Sequence, residues 1–218
     1  ISGSGKSTLI RDVLIPAINN NIGNYFNNQK NYNNIDISIK NLNRVELVDQ
    51  NPIGKSSRSN PITYIKAYED IRRLFAIQPL AKIRKYPAGF FSFNMEGGRC
   101  PKCKGEGEIK VEMQFMADVH LKCEDCNGKK FKSKILEVKF AKKNIYDILN
   151  LSIDEAIKFF KSNNEIKIAK KMQCLKDVGL GYVKLGQSSN RLSGGEAQRI
   201  KLALFLSKGN TTEKTLFI

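Results

Sequence analysis

Residues 2–8 read Ser2-Gly3-Ser4-Gly5-Lys6-Ser7-Thr8, and they lead directly into the apolar spacing of a helix over residues 7–18. The run matches all but the first position of the pattern G-x-x-x-x-G-K-[ST], whose glycines let backbone N–H groups surround phosphates. We therefore predict a phosphate loop in an α/β fold, with Lys6 on the β- and γ-phosphates of ATP and the Ser7 hydroxyl on Mg²⁺. A flexible Gly-Ser linker is the alternative, but Lys-Ser-Thr followed at once by an amphipathic helix is not linker composition.

A second glycine motif lies far downstream, before another run of helical apolar spacing; its residues are Leu192, Ser193, Gly194, Gly195 and Glu196. Taken alone, its alternative interpretation is an ordinary helix N-terminus. Together with the phosphate loop it resembles the ATP-binding-cassette (ABC) ATPases, whose L-S-G-G-Q signature presents serine and glycine N–H groups to the γ-phosphate. Glu196 stands where that family usually has Gln. In the family the signature serves the nucleotide of an opposing cassette, so the resemblance implies that one complete site needs two cassettes.

Four cysteines form two pairs of identical spacing, Cys100-x2-Cys103 and Cys123-x2-Cys126, with residues 104–122 between them. Paired C-x-x-C knuckles about 15–20 residues apart are typical of tetrahedral Zn²⁺ sites. Glycines follow each pair and predict tight turns that bring N–H groups towards the thiolates: Gly105, Gly107 and Gly128. Disulfides are the alternative, which a phosphate loop of intracellular type disfavours. We predict one Zn²⁺ held by the four cysteines.

The residues between the knuckles alternate in polarity from Ile109 to Phe115 and again from Val119 to Leu121, which predicts a β-hairpin with zinc at its base. His120 falls on the polar face, and because four cysteines already complete the metal shell we do not expect it to be a ligand. Cys174 is alone on a predicted helix, where we expect a buried apolar side chain rather than a thiol with a role.

Composition limits the classes of protein that fit. Lys and Arg number 37 against 21 for Asp and Glu, a net charge of +16, and 41% of the residues are hydrophobic. The charge favours a polyanionic partner, although the abundance of Asn, Lys and Ile indicates that part of it is compositional drift. No apolar run approaches the ~18 residues of a membrane span and no signal-peptide pattern is present, so we expect a cytoplasmic protein without a membrane partner.

Patterns along the chain predict its organisation. Strands are expected at 45–48 and 215–218, and the Asn-rich stretch 19–34 is expected to be a loop. Helices are expected after Pro61, with an apolar stripe through Phe75, at the capping box of Ser152, and over 164–178. We divide the chain into the start of the ATP-binding core (1–60), an inserted helical subdomain (61–185) with the zinc module at about 95–135, and a signature segment (186–218). Because the chain begins with Ile and stops inside an apolar run, we expect it to be a piece of a longer protein, truncated at both ends.

The combined pattern resembles the C-terminal cassette half of the UvrA family of excinuclease proteins, the damage-recognition ATPases of bacterial nucleotide excision repair. Transporter ATPases have a shorter separation between the two ATP motifs, and chromosome-organising relatives insert coiled coils whose heptads are missing here. The resemblance rests on five segments: Asp-Gln-Asn-Pro-Ile-Gly at 49–54, Arg-Ser-Asn-Pro at 58–61, Phe-Ser-Phe-Asn at 91–94, Gly-Gly-Arg-Cys at 97–100 and Gly-Leu-Gly-Tyr-Val-Lys-Leu-Gly-Gln at 179–187.

This resemblance implies further roles. Gln50 would be the Q-loop glutamine that senses Mg²⁺ and the γ-phosphate, and the strand at 215–218 would begin Walker B, so the catalytic residues would lie beyond it and the 218-residue piece would not hydrolyse ATP by itself. The implied cofactors are ATP, Mg²⁺ and Zn²⁺. The implied partners are double-stranded DNA, a second cassette half, a homodimer partner and UvrB, in DNA excision repair and the SOS response.

Two alternatives stay open at this point. Cys-Pro-Lys-Cys-Lys-Gly-Glu-Gly at 100–107 also matches the C-x-x-C-x-G-x-G repeats of DnaJ-like proteins, which would make the chain a non-enzymatic zinc-binding module; those proteins have four such repeats and no phosphate loop. The other is a translation or transport cassette ATPase, which the zinc module disfavours. If the chain binds DNA, we expect phosphate contacts from some of the basic residues in and beside the zinc module, namely Arg99, Lys102, Lys104, Lys110, Lys129, Lys130, Lys132 and Lys134.

Overall fold

The computed structural model describes residues 4–22, 42–49, 51–54, 58–115, 118–207 and 214–218. The chain folds into two compact units, one from Ile1–Asp49 with Lys208–Ile218 and the other from Gln50–Ser207. Each unit is described separately below.

The smaller unit begins with the predicted helix. Gly5 takes a left-handed conformation (φ 78°), and the chain then continues through α1 (Lys6–Thr8), a π-helical segment (Leu9–Leu14) and α2 (Ile15–Asn21). Glycine suits this position because a left-handed φ carries no Cβ penalty there. The helix extends through Asn21, so the first residues of the predicted Asn-rich loop are helical; residues 23–34 lie outside the described residues.

Two strands complete the smaller unit. β1 (Leu42–Glu46) pairs in parallel with β6 (Lys214–Phe217), with Val45 opposite Leu216. The strand expected at 45–48 therefore starts and ends earlier, whereas the strand expected at 215–218 is confirmed within one residue. Parallel pairing of strands so distant in sequence needs a long crossover, as α/β folds have.

The larger unit is mostly helical. Its helices are α3 (Pro61–Tyr64), α4 (Tyr68–Ala76), α5 (Pro79–Ile83), α6 (Ser133–Leu136), α7 (Ile145–Asn150), α8 (Ile153–Ser162), α9 (Ile166–Asp177) and α10 (Gly194–Ser207). It also contains the hairpin β2 (Glu108–Val111) with β3 (Val119–Lys122), the two-residue pair β4 (Lys139–Phe140) with β5 (Lys143–Asn144), and 3₁₀ turns at Ala88–Phe91 and Ser189–Arg191. The mixed α/β class is confirmed.

The single helix expected from Pro61 to Phe75 is wrong, because α3 and α4 are separate. Asn60 caps α3 by accepting the Thr63 N–H at 3.0 Å. Lys66 then takes a left-handed conformation (φ 58°), which an α-helix cannot contain. The apolar stripe is nevertheless buried, since Ile65, Ile71 and Phe75 all lie inside.

Apolar side chains from α3 to α10 pack into one buried cluster, which we call the helical core. Its largest members include Phe75, Phe91, Phe93, Phe131 and Phe160. Tyr68 joins it by stacking on Phe93, and its hydroxyl donates to the Phe91 carbonyl at 2.6 Å. The helical core therefore reaches the residues on both sides of the cysteine knuckles. We call residues 99–131, with the β2–β3 hairpin and the four cysteines, the cysteine hairpin.

The signature helix α10 packs against α9 in the larger unit, whereas β6 pairs with β1 in the smaller one. The segment predicted as 186–218 thus contributes to both units, because its helix has a buried face (Ala197, Ile200, Ala203) and its strand completes a sheet. The boundaries at residues 60 and 185 stay a prediction.

Candidate nucleotide and metal sites

The described part of the phosphate loop has a compact form. The Lys6 ammonium donates to the Ser4 hydroxyl at 2.8 Å, and the Leu9 N–H closes the first turn on the Gly5 carbonyl at 2.8 Å. The lysine side chain thus reaches back to Ser4, within the same motif. Thr8 lies in α1, while Ser2, Gly3, the Ser7 side chain and Gln50 lie outside the described residues.

The signature segment lies at the start of α10, with its glycines accessible. Ser193, Gly194 and Gly195 are exposed, whereas Leu192 is half-buried against the helical core. A Cβ placed on Gly195 would have nothing within 4 Å. An anion could therefore approach the first N–H groups of α10, which an α-helix leaves without intrahelical acceptors.

Glu196 closes a capping box at this helix start. Its carboxylate Oε2 accepts the Ser193 N–H at 2.8 Å, and the Glu196 N–H donates to the Ser193 hydroxyl oxygen at 3.3 Å. The other carboxylate oxygen, Oε1, accepts the Tyr182 hydroxyl at 2.6 Å. The hydrogen bond from Tyr182 has the largest effect on Glu196, and together with the contacts to Ser193 it holds the pKa of this carboxyl below its usual value. The residue that replaces the usual Gln is thus an ionised carboxylate engaged in local hydrogen bonds.

The four paired cysteines meet at the base of the β2–β3 hairpin. All four Sγ atoms lie within 4.8 Å of one another, and all four residues are buried. The Sγ atoms of Cys100 and Cys123 are 3.9 Å apart and those of Cys103 and Cys126 are 3.7 Å apart. A disulfide would require about 2.05 Å. Four thiolates about 2.3 Å from a tetrahedral Zn²⁺ lie about 3.8 Å from each other, so the donor set fits this metal.

The two knuckles have matching backbone conformations. In each, the second cysteine is followed by a left-handed residue and then a left-handed glycine: Lys104 (φ 49°) with Gly105 (φ 88°), and Asn127 (φ 48°) with Gly128 (φ 74°). A Cβ on Gly105 would lie 2.0 Å from the Phe93 carbonyl oxygen, so the turn needs glycine. One N–H reaches a sulfur atom as the predicted turns imply, that of Gly107, which donates to Cys103 Sγ at 3.2 Å; the Gly128 N–H donates to the Cys123 carbonyl.

Burial disfavours the free thiolate at two of the four cysteines. Burial raises the pKa of Cys100, and it raises the pKa of Cys126 to about 12. Burial acts to raise the pKa of Cys123 as well, but hydrogen bonds from the Cys126 backbone and from the neighbouring thiols lower this pKa overall. A bound divalent cation reverses this preference because it binds thiolate directly. The cluster has the chemistry of a structural metal site rather than of a reactive thiol.

Two other residues considered from the sequence lie outside this cluster. His120 is exposed on β3, with Nδ1 3.8 Å from Glu108 Oε2. Cys174 is half-buried on α9, where burial raises its pKa and its thiol donates to the Lys171 carbonyl at 3.2 Å.

Comparison with known proteins shows what the chain is similar to. No protein-family model matches the chain. It is 50% identical to UvrABC system protein A of Clostridium acetobutylicum, 49% to that of Aquifex aeolicus and 47% to that of Mycoplasmopsis pulmonis, in each case over 100% of this chain and 23% of the relative. The crystal structure of UvrA2 from Deinococcus radiodurans matches with a TM-score of 0.83 and 43% identity, over 100% of this chain and 25% of that one. The resemblance to UvrA is confirmed along the whole chain.

The chain spans about a quarter of the length of the UvrA relatives it matches. Among the described residues, no helix is both long and apolar enough to cross a lipid bilayer. The structure itself contains the four-cysteine cluster and has the α/β class. The ABC-type core is a prediction from the two glycine motifs.

The eight basic residues that the sequence analysis names for DNA contact fall into two groups in the structure. Four are engaged within the chain. Lys102 pairs with Asp125 at 3.0 Å, and Lys110 pairs with Asp118 at 2.8 Å. Arg99 donates to Glu96 and to the Asn94 carbonyl. Lys130 is half-buried, with its ammonium 5.5 Å from the centre of the Phe93 ring. The other four are exposed, and within the described part of the chain they form no ion pair: Lys104, Lys129, Lys132 and Lys134.

Sequence reasoning missed several residues that join the UvrA-like motifs. Arg191, directly before the signature, pairs with Glu108 on β2, and Arg58 lies 3.5 Å from Glu106 at the foot of the same strand. Tyr182 lies within a matching segment, where nothing in the sequence assigns it a role. A charge in a loop carries no pattern that identifies its partner across the fold, so the sequence held no signal for these pairs.

Proposed function

We propose that this chain is part of an ATP-dependent DNA-damage recognition subunit of bacterial nucleotide excision repair, acting in the cytoplasm. The observation that carries the proposal is 50% identity to UvrABC system protein A over every residue of the chain. A DnaJ-like module is not favoured, because the same relatives match the phosphate-loop, cysteine and signature segments together.

In this function Lys6 and the loop N–H groups hold the β- and γ-phosphates of ATP, Ser7 binds Mg²⁺, and Gln50 senses both. Ser193, Gly194 and Gly195 donate to the γ-phosphate of ATP in an opposing cassette. Zn²⁺ held by the four cysteines stabilises the hairpin and supplies no chemistry to the reaction. The partners are duplex DNA, a second cassette, a second copy of the protein and UvrB.

The roles of the phosphate loop and the signature in ATP hydrolysis are tested in the natural full-length protein. Lys6→Ala and Ser193→Ala should each lower ATP turnover by at least about tenfold, since phosphoryl transfer depends on positioning and on charge stabilisation. Lys161→Ala, at an exposed lysine of α8, is the control and should leave turnover unchanged. Turnover that is insensitive to Lys6→Ala would contradict the phosphate-loop assignment.

The DNA surface is tested by reversing charge at exposed lysines in and beside the cysteine hairpin. Lys129→Glu with Lys132→Glu should weaken binding to damaged duplex and flatten its salt dependence, because fewer counterions are released. Lys158→Glu with Lys161→Glu changes the net charge equally on α8 and serves as the matched control. Equal losses in both variants would indicate a general charge effect and remove the proposed surface.

A further inference from the structure

The larger unit contains an open groove away from the signature. The groove is lined by α4 with the residues just before it, by α9 and by the end of α10, and its volume is about 1030 Å³. The signature and Leu206 lie at opposite ends of α10, about 18 Å apart at 1.5 Å per residue. Its described lining includes no residue of the signature or of the cysteine hairpin, so the groove is a separate surface of this unit.

The groove has an apolar surface that reaches solvent. Ile65, Leu74 and Ile168 line it and are otherwise buried in the helical core. Two further aliphatic side chains of the lining, Ile77 and Leu206, are 58% and 53% exposed. Exposed aliphatic residues that are scattered singly need no explanation, but these two continue a buried apolar surface into a concave site.

Cations outnumber carboxylates in this lining. The cations are Lys66, Arg73, Lys167, Lys170 and Lys171, and the carboxylates are Asp70, Glu165 and Asp177. Two of the carboxylates are already engaged, since Asp70 pairs with Lys171 at 2.5 Å and Asp177 accepts the Gln173 amide at 2.9 Å. The four cations other than Lys171 are exposed and form no ion pair with any residue that the structure describes. Unpaired positive charge therefore lies beside the apolar surface.

These two properties together indicate the class of partner. Duplex DNA would bring phosphates to the cations but would leave the apolar surface in contact with water. An amphipathic helix with acidic residues beside its apolar stripe uses both, in the helix-in-groove mode of recognition. A second copy of this chain is a poor source of such a helix, because the chain has a net charge of +16.

We propose that the groove between α4 and α9 binds an acidic amphipathic helix of a separate partner protein. The apolar stripe of that helix packs on Ile77 and Leu206, and its carboxylates pair with cations from both walls, Arg73 on α4 and Lys170 on α9. The ion pair between Asp70 and Lys171 joins the same two walls, so the groove needs little reorganisation to accept the helix.

The test is peptide binding to the natural full-length protein, measured by fluorescence anisotropy. The probe is a synthetic helical peptide of about 16 residues with leucines at i, i+3, i+4 and i+7 and glutamates beside them. The control peptide has lysine in place of each glutamate. The acidic peptide should bind at least about tenfold more tightly than the basic one, and its affinity should fall as salt rises.

Two sets of variants locate the binding site. Lys167→Glu with Lys170→Glu should weaken binding of the acidic peptide at least about tenfold, whereas Lys158→Glu with Lys161→Glu on α8 changes the net charge equally and should not. Leu206→Glu should also weaken binding, and Ile83→Glu, at a 78% exposed isoleucine outside the groove, is its control. The lysine variants alter exposed side chains alone, so they test the groove even if Leu206→Glu disturbs the fold.

Four results would overturn the proposal. They are no binding of the acidic peptide, equal binding of both peptides, equal losses in the two double lysine variants, and full peptide binding by the Lys167 and Lys170 variant accompanied by weaker binding of duplex DNA. The last result would assign the groove to a nucleic-acid surface. ATP turnover does not enter this test, so its outcome is independent of the proposed function.

Discussion

The helical core and the four-cysteine cluster belong to the same unit but are stabilised by different contacts. The helical core buries many apolar side chains from the helices α3 to α10, including Phe75 and Phe160. The cysteine cluster consists of four sulfur-bearing residues, and Ile109 is the only partly buried apolar side chain of the described chain that packs against it. Burial of so little apolar surface cannot order a hairpin, which is why small modules of this kind depend on metal.

The rest of the cysteine hairpin reinforces this contrast. Apolar side chains on and beyond its strands face solvent, among them Leu121, 54% exposed, and Phe115, 96% exposed. The alternating pattern from Ile109 to Phe115 therefore does not mark a buried sheet face. The following predictions test whether the two regions are as independent as this difference implies.

The largest effect is expected from removing the metal. Structural zinc sites contribute about 10 kcal/mol or more to the folding of the segment that they organise. A strong chelator should abolish amide hydrogen-exchange protection over 100–131 while protection in α8 and α9 persists. Simultaneous loss of protection in both regions would show that they fold as one cooperative unit.

A substitution in the helical core should destabilise the helices and leave the zinc site intact. Phe160→Ala should lower the free energy of unfolding by ~3–5 kcal/mol because it leaves a cavity in the helical core, with zinc content unchanged. Phe115→Ala removes the same side chain from an exposed position and should change stability by no more than ~0.5 kcal/mol. Denaturant unfolding with metal analysis measures both. A large effect of Phe115→Ala would mean that the exposed end of the hairpin is covered in solution.

A smaller effect is expected at the first knuckle. Gly105→Ala must place a Cβ 2.0 Å from the Phe93 carbonyl oxygen at a left-handed φ, so it should cost ~2 kcal/mol or more and weaken zinc retention against a chelator. Gly195→Ala is the matched control, since a Cβ there meets nothing within 4 Å and alanine favours a helix. Equal thermal shifts in the two variants would argue against a strained knuckle.

The smallest effect is expected at the ion pair that joins the two regions. Arg191 and Glu108 are both partly exposed, so breaking the pair should cost no more than ~1 kcal/mol, and less at high salt. Arg191→Gln and Glu108→Gln should be non-additive in thermal melts at low salt. Additive effects would show that the pair contributes nothing to coupling the hairpin to the signature segment.

The contrast also explains which features could be predicted from the sequence. The cysteine spacing, the Ser152 capping box and the α9 helix depend on neighbours close in sequence, and the structure has them where the residues indicated. The break at Lys66 and the pairs formed by Arg191 and Tyr182 depend on contacts between distant segments. A left-handed lysine has no sequence signature of its own, and an exposed tyrosine reveals its partner only when the fold places Glu196 beside it.

Metal analysis of the purified protein tests the zinc assignment most directly. The cysteine geometry predicts about one zinc per chain, as a site of four thiolates holds one tetrahedral ion. Cys103→Ser with Cys126→Ser should reduce that content to background, whereas Cys174→Ser, which changes a cysteine outside the cluster, should leave it intact. Zinc absent from the unmodified protein, or retained at full content in the double variant, would contradict a metal-stabilised hairpin.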